Sequence, residues 1–382
     1  MHGTELELVR NRLRDFAESD QTAASPLYRH LAAHSATDPE VSSLLAQAPP
    51  NTATPALLLA VAHRLLQAEP WLTLSNYYPT LGGTFGVDRQ TWGLFRDFLL
   101  ERSASAVRLL TTRSVCDEEV GRAALFYPAL TMIAKQARSP LGLLAAGSSV
   151  GLLLNPHRYG YRYQGAGVGE IAAGPKKTSL VLSTALRAAE GVALPPLSAK
   201  LAIGSRVALD RVTVDLTDSD DVAWLEACVW ADQPDRLRRL ELAVSIQRKE
   251  PPELVIGDPI EGLAAAAAHI PDETPLVVIQ GRSLAGEGEE RLAAYARQLS
   301  SLAADRPLWW VGVEPGIETF RSIVPAAAFD APGAADPADG DHLLGMVRWR
   351  ERSTAGVKPL VPEATILART DAHGRRMDWG VL

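Results

Sequence analysis

From residue 4 to about residue 135 apolar side chains recur at helical spacing, in LELVRNRLRDFA, SPLYRHLAAHSA, DPEVSSLLAQA, TPALLLAVAHRLLQA, QTWGLFRDFLLERSASAVRLLTTR and EEVGRAALFYPALTMIAKQA. At least six helices are predicted. Ser25 before Pro26, Asp38 before Pro39 and Thr54 before Pro55 supply capping oxygens next to a residue suited to a first turn. After Pro140 the pattern changes to short apolar runs, LGLLAAG, RVALDRVTVDL, ELVIGD, PLVVIQG, PLWWVGVEP, HLLGMVRWRER and ATILART. Amphipathic stretches separate several of them, DDVAWLEACVW with PDRLRRLELAVSIQ, and EGEERLAAYARQLSSLAA. Such alternation predicts an α/β fold: an all-α region over residues 1–135, then, over 136–382, a mostly parallel sheet of about seven strands wrapped by helices. The polar stretch PAAAFDAPGAADPADGD reads as a surface loop.

Composition narrows the choice of partner. The 382 residues carry 38 Lys and Arg against 45 Asp and Glu, a formal charge of -7, which argues against nucleic acid or an anionic membrane surface. The longest weakly polar stretch, LGLLAAGSSVGLLL, is too short to span a bilayer. Two cysteines, Cys116 and Cys228, make no disulfide framework, and MHGTELELVRNRLRDF has no signal-peptide core, so a cytoplasmic location is expected. A small molecule is the expected ligand.

The strongest local signal for chemistry is the strand running into Gly147, Ser148, Ser149, Val150 and Gly151. Small residues at a strand end admit a ligand close to the backbone, and the N–H groups of a following helix can hold an anionic group. Asp258 and Gln280, at the ends of ELVIGD and PLVVIQG, fall where open α/β sheets bind ligands. The same pentad fits a nucleophile elbow, with Ser149, His373 and either Asp341 or Asp330 in the order of a hydrolase triad. Only helices precede that strand, which weakens the hydrolase reading; a turn serine is the simpler account.

Asp117, Glu118 and Glu119 open the segment EEVGRAALFYPAL. Acids in a first turn suit the helix dipole; the chemical reading is three carboxyl groups that bind a substrate amine, one of them acting as base. Asp210 or Asp215, near a strand end, suits the hydroxyls of a ribose or substrate. His30 and His34 stand at i and i+4, but no acid or third ligand at a metal spacing accompanies them, so no metal is expected.

Taken together, SPLYRHLA, DPEVSSLLAQA, LLLAVAHRLL, YYPTLGG, TRSVCDEEVGRAA, PLGLLAAGSSVGLLLNPHRYGYRY, VDLTDSDDVAWLEACVWADQPDRLRRLELAV and HGRRMDW resemble the actinobacterial family of domain of unknown function 2332, over nearly the whole chain. The resemblance implies a helical N-terminal region joined to a class I methyltransferase-like Rossmann body. Where the family reads Gln-Thr-Asn-Glu, this chain has Cys116, Asp117, Glu118 and Glu119. Where the family turn reads Glu-Val-Gly-Ala-Ser-Ala-Gly-Leu-Asn, it has Ala145 through Leu153, without the leading acid or the closing asparagine. A lost acid disfavours S-adenosylmethionine, and gained acids favour an amine. The chain is similar in kind to the large subunits of aziridine-forming enzymes in azinomycin-type pathways. That likeness implies ring closure without metal or cofactor, in which an amine displaces sulfate, a carboxylate takes the proton and the amides of Gly147 to Gly151 steady the leaving group, with a small partner subunit. Methyl transfer from S-adenosylmethionine, with Asp210 or Asp215 at the ribose and Asp258 near the adenine, is the alternative, and a non-catalytic scaffold subunit a further one.

Overall fold

The computed structural model describes residues 3–380 except 190, 196, 198–199, 282–283, 285, 325–340 and 352–359. The chain forms two compact units, residues 1–117 with 214–241, and residues 118–213 with 242–382. Among the described residues no helix is long and apolar enough to cross a membrane.

The first unit is helical: α1 (Gly3–Glu18), α2 (Pro26–Thr37), α3 (Pro39–Leu45), α4 (Pro55–Gln67), α5 (Thr91–Glu101) and α6 (Ser103–Thr112), with α8 (Ser219–Ala227) returning from later in the chain. The expected caps are made. Ser25 Oγ accepts from Tyr28 N at 3.3 Å, Asp38 Oδ1 from Val41 N at 2.9 Å and Thr54 Oγ1 from Leu57 N at 3.2 Å. The long run QTWGLFRDFLLERSASAVRLLTTR is two helices, because the backbone leaves helical geometry at Arg102 (φ -108, ψ 21). Leu13, Leu31, Leu58, Phe95 and Leu99 are fully buried in one core that also holds Trp224 and Ala231, so residues 214–241 pack as part of this unit. The two cysteines meet in it, with Cys116 N donating to Cys228 Sγ at 3.4 Å.

His63 is buried in this core, its Nδ1 3.1 Å from Ala227 O and its Nε2 2.9 Å from Thr80 Oγ1. Burial pushes its imidazole down to about 4. Below pH 6.5 the unfolded chain takes up a proton that the folded one refuses, so stability falls between about pH 6.5 and pH 4, by up to about 3 kcal/mol. Urea melts of the wild type and His63→Gln near pH 7 and pH 4.5 check this: the variant should show the smaller acid-induced loss, and equal losses would contradict it.

The second unit contains α7 (Ala123–Ala137), β1 (Leu141–Ala146), β2 (Gly160–Gly165), β3 (Gly169–Ala173), β4 (Val181–Ala188), β5 (Ile203–Asp210) and β6 (Glu253–Ile256). Helix α9 (Pro234–Gln247) starts in the first unit and ends in this one. There follow α10 (Leu263–Ala267), β7 (Leu276–Gly281), α11 (Glu289–Asp305), β8 (Leu308–Glu314), α12 (Glu318–Ile323), β9 (His342–Glu351), β10 (Leu360–Thr370) and β11 (Arg376–Trp379). The strands form one sheet in the order β3-β2-β4-β11-β10-β9-β8-β7-β1-β5-β6. Helices α10, α11 and α12 cover it through a core containing Leu144, Val278, Tyr295, Trp310 and Phe320.

The sheet thus has eleven strands rather than about seven. All seven expected runs are present as β1 and β5 to β10; the additional strands are β2, β3, β4 and β11. In β4 buried and exposed residues alternate, the period-2 pattern of a strand with one covered face. The expected surface loop, residues 325–341, lies outside the described residues apart from Asp341.

The block β6-β5-β1-β7-β8 is parallel throughout. Numbered by its own strands along the chain, the block runs 3-2-1-4-5, the doubly wound order in which ligands bind outside the carboxyl ends where the order reverses, here between β1 and β7. Because β8, β9, β10 and β11 alternate in direction, and β11, β4 and β2 are mutually parallel, β2 and β4 run opposite to the block. Their first residues therefore share an edge with the carboxyl ends of β1 and β7.

Candidate functional site at the carboxyl edge of the sheet

At the end of β1 the chain turns through Gly147 and Gly151, both at positive φ (76 and 77). No α-helix follows, only a 3-10 turn at Leu152–Leu154, so the expected helix N-terminus for an anion is absent. The turn instead closes around a carboxylate of the chain itself. Glu118 Oε1 accepts from Ser148 Oγ at 2.9 Å, from Val150 N at 3.2 Å and, at the long distance of 3.5 Å, from Ser149 Oγ. Ser148 Oγ in turn accepts from Gly151 N at 2.9 Å, and Gly147 N and Ser148 N donate to Leu209 O at the end of β5. Four of the five amides of the turn are engaged within the protein. This corrects the expectation that they steady a departing sulfate: Glu118 stands where a ligand anion would be received.

Glu119 faces a different partner. Its Oε1 accepts from Gly121 N at 2.9 Å, and its Oε2 lies 3.1 Å from His373 Nδ1. The carboxylate is 1% exposed and the imidazole 32% exposed, so the ring is the member of the pair that solvent reaches. A carboxylate at Nδ1 fixes the imidazole orientation and, when the ring is neutral, places the proton on Nδ1 and the lone pair on Nε2.

The pair is held by close backbone packing of the β10–β11 connection on the 3-10 turn Val120–Arg122. A Cβ on Gly121 would come 2.2 Å from His373 O, and one on Gly374, at φ +77, would come 2.1 Å from Gly121 O. Arg122 Nε donates to Ala372 O at 2.9 Å and Thr184 Oγ1 to Gly374 O at 2.7 Å, closing the connection from both sides. Gly121→Ala is accordingly expected to separate His373 from Glu119 and to cost at least about 3 kcal/mol, since backbone rather than a flexible side chain must give way. Thermal melts check it; a variant within about 0.5 kcal/mol of the wild type would contradict the packing.

Arg122 was not singled out by sequence reasoning. It is buried, and its side chain lies beside Gly281, where a Cβ would be 3.4 Å from Arg122 Cδ. The only signal was a lone cation inside the apolar run VGRAALFYPAL. Gln280, one residue earlier on β7, is buried and accepts from Trp310 Nε1 at 3.2 Å.

The segment before Val120 is not helical, and α7 starts only at Ala123, so the three acids 117–119 do not share a helix turn, and each has a partner of its own. Asp117 belongs to the first unit, where Arg236 Nη2 donates to it at 2.8 Å. Asp215 is in that unit too, accepting from Thr217 N and Thr217 Oγ1 at 2.8 and 2.7 Å. Asp258 is engaged at the end of β6: although burial works against it, the amides of Glu261 and Ile260 with Arg291 and Arg211 hold its carboxyl well below the usual range. Asp210 follows the Leu209–Ala146 pair of the ladder and so lies beside Gly147. It is half-buried, and burial raises its carboxyl.

Among the described residues the triad of Ser149, His373 and Asp341 is not assembled. Ser149 bonds to Glu118, His373 to Glu119, and Asp341 pairs with Arg376. Asp330 lies outside the described residues. The rings of His30 and His34 lie against each other, centroids 4.2 Å apart and tilted by 44°, and His34 Nδ1 bonds to His30 O at 3.0 Å.

The fold and this edge define an α/β protein of the doubly wound kind, with an ionisable pair and an internally filled glycine turn where such sheets bind ligands. The chain belongs to the family of uncharacterized proteins conserved in bacteria (DUF2332), whose model matches residues 10–379. No curated protein and no solved structure matches it.

Proposed function

We propose that this chain is an enzyme acting on an amine-bearing small molecule, in which His373 receives the amine proton and Glu119 positions His373. The observation that carries this reading is the Glu119–His373 pair, a buried carboxylate 3.1 Å from Nδ1 of a solvent-reached imidazole. Glu119, nearly inaccessible and bonded at both oxygens, is the orienting group rather than the base first expected among the carboxylates. The reaction that agrees best with the family resemblance is intramolecular displacement: the amine nitrogen forms a bond to a neighbouring carbon, the carbon–oxygen bond to sulfate breaks, sulfate leaves with the electron pair, and the amine proton passes to His373 Nε2. No cofactor is needed for this balance.

Methyl transfer from S-adenosylmethionine is the second reading, favoured by Asp210, whose half-buried carboxyl beside Gly147 suits ribose hydroxyls. Against it, the turn that would receive the cofactor's methionine carboxylate is filled by Glu118. The test is incubation of the purified chain, with any small subunit that copurifies, with a β-amino sulfate ester. The proposal predicts one sulfate released per ring closed, without S-adenosylmethionine. An unchanged ester, together with calorimetric binding of S-adenosylmethionine or its demethylated product, would replace it by the second reading.

A further inference from the structure

A cleft of about 590 Å³ opens in the second unit, lined by His157, Arg158, Lys177, Thr178, Ser179 and Lys249 among others. Its walls are the segment leading into β2, the connection from β3 to β4 and the end of α9. No carboxylate lines it, in a chain whose net charge is -7. Lys177 and Lys249 are exposed, and among the described residues neither makes an ion pair. Two cations with no counter-charge facing one cavity repel each other, an arrangement that a bound anion relieves.

A polar network adjoins the lining residue Arg158. Glu250 pairs with both Arg158 and Arg206, one carboxylate against two guanidiniums, so positive charge remains. Arg206 donates to Asn155 Oδ1, Asn155 Nδ2 to Gln247 Oε1 at 2.7 Å, and Gln247 Nε2 to Val150 O at 2.5 Å. Asn155 and Gln247 are buried, so this chain of hydrogen bonds runs from Arg206, which shares Glu250 with the lining residue Arg158, to the turn that holds Glu118. Arg158 Nε donates to His157 Nε2 at 3.3 Å, which keeps the guanidinium against the cleft wall.

We infer that this cleft is a binding site for a small molecule bearing a tetrahedral oxyanion, a phosphate or sulfate ester, with Lys177, Lys249 and Arg158 as its charge partners and the hydroxyls of Thr178 and Ser179 as added donors. Its volume lies in the range of small-ligand sites. The turn at Gly147 to Gly151 already has its anion in Glu118, so this cleft, and not the glycine turn, is where an external oxyanion is received. The site stands apart from the proton-accepting role of His373, and its test does not depend on turnover.

The test is calorimetric titration of the full chain with inorganic pyrophosphate and with inorganic sulfate at fixed ionic strength. The double variant Lys177→Ala/Lys249→Ala and the control Lys176→Ala are titrated in the same way; Lys176 is exposed and is not part of the cleft lining. Saturable binding is expected, weakened about tenfold or more in the double variant and unchanged in the control. Tighter binding of pyrophosphate than of sulfate assigns the site to a phosphorylated ligand; equal or tighter sulfate assigns it to a sulfate ester. No saturable heat with either anion, or equal loss in the control and the double variant, would overturn the inference.

Discussion

Glu118→Ala should lower the melting temperature of the sheet-bearing unit by roughly 6–12 °C, the shift expected for about 3 kcal/mol in a unit of this size. The reason is local. Removing the carboxylate strands the Val150 amide and the Ser148 hydroxyl, both buried and both donating to Glu118 Oε1. A buried donor left without its acceptor costs about 1–3 kcal/mol, more when the acceptor was charged. Glu118→Gln keeps an acceptor oxygen and is expected to cost about half as much. Ser149→Ala, which removes only a 3.5 Å contact, should stay within about 0.5 kcal/mol of the wild type. Differential scanning calorimetry of the three variants separates these cases. If Glu118→Ala melted with the wild type, Glu118 would not be what closes the glycine turn.

The second large effect is on rate. His373→Ala is expected to reduce kcat by about 10²–10⁴-fold, the usual contribution of a positioned proton acceptor. Stability should fall by about 1–3 kcal/mol, because the buried Glu119 Oε2 loses its partner, so kcat is compared per folded molecule. Glu119→Gln should lower kcat by about a hundredfold with KM little changed, since an amide at Nδ1 no longer favours the productive orientation and tautomer. A merely structural Glu119 would instead lower the melting temperature and leave kcat per folded molecule intact.

Much of this architecture was legible in the chain because local rules and tertiary demands agree there. Ser25, Asp38 and Thr54 each precede a proline and each caps a helix. The apolar runs that became β1, β7 and β8 are buried along nearly their whole lengths, so their sequences are apolar apart from Gln280 and Glu314 near the strand ends. Strands β2 and β4 were harder to read because they expose one face, and Arg162 and Arg187 fall on it. At the site, the glycine turn was visible as small residues after a strand, and Asp210 as an acid at a strand end. What filled the turn was not visible, since Glu118 reaches Ser148 across 30 residues of sequence. Glu119 and His373 are 254 residues apart, and nothing local couples them. Acids adjacent in sequence were read as one cluster, yet without a helix at 117–119 their side chains find separate partners. The cleft leaves no local signal in the chain for a similar reason, because Arg158, Lys177 and Lys249 come from three separate segments.

The proposed function requires the Glu119–His373 pair at the carboxyl edge of this sheet to accept a proton from an amine as sulfate departs. Its most direct measurement is sulfate release from a β-amino sulfate ester by the wild type and by His373→Gln under single-turnover conditions. The account predicts stoichiometric release by the wild type and a rate at least about a hundredfold lower in the folded variant. Equal rates for the two proteins, or no release by the wild type, would contradict it.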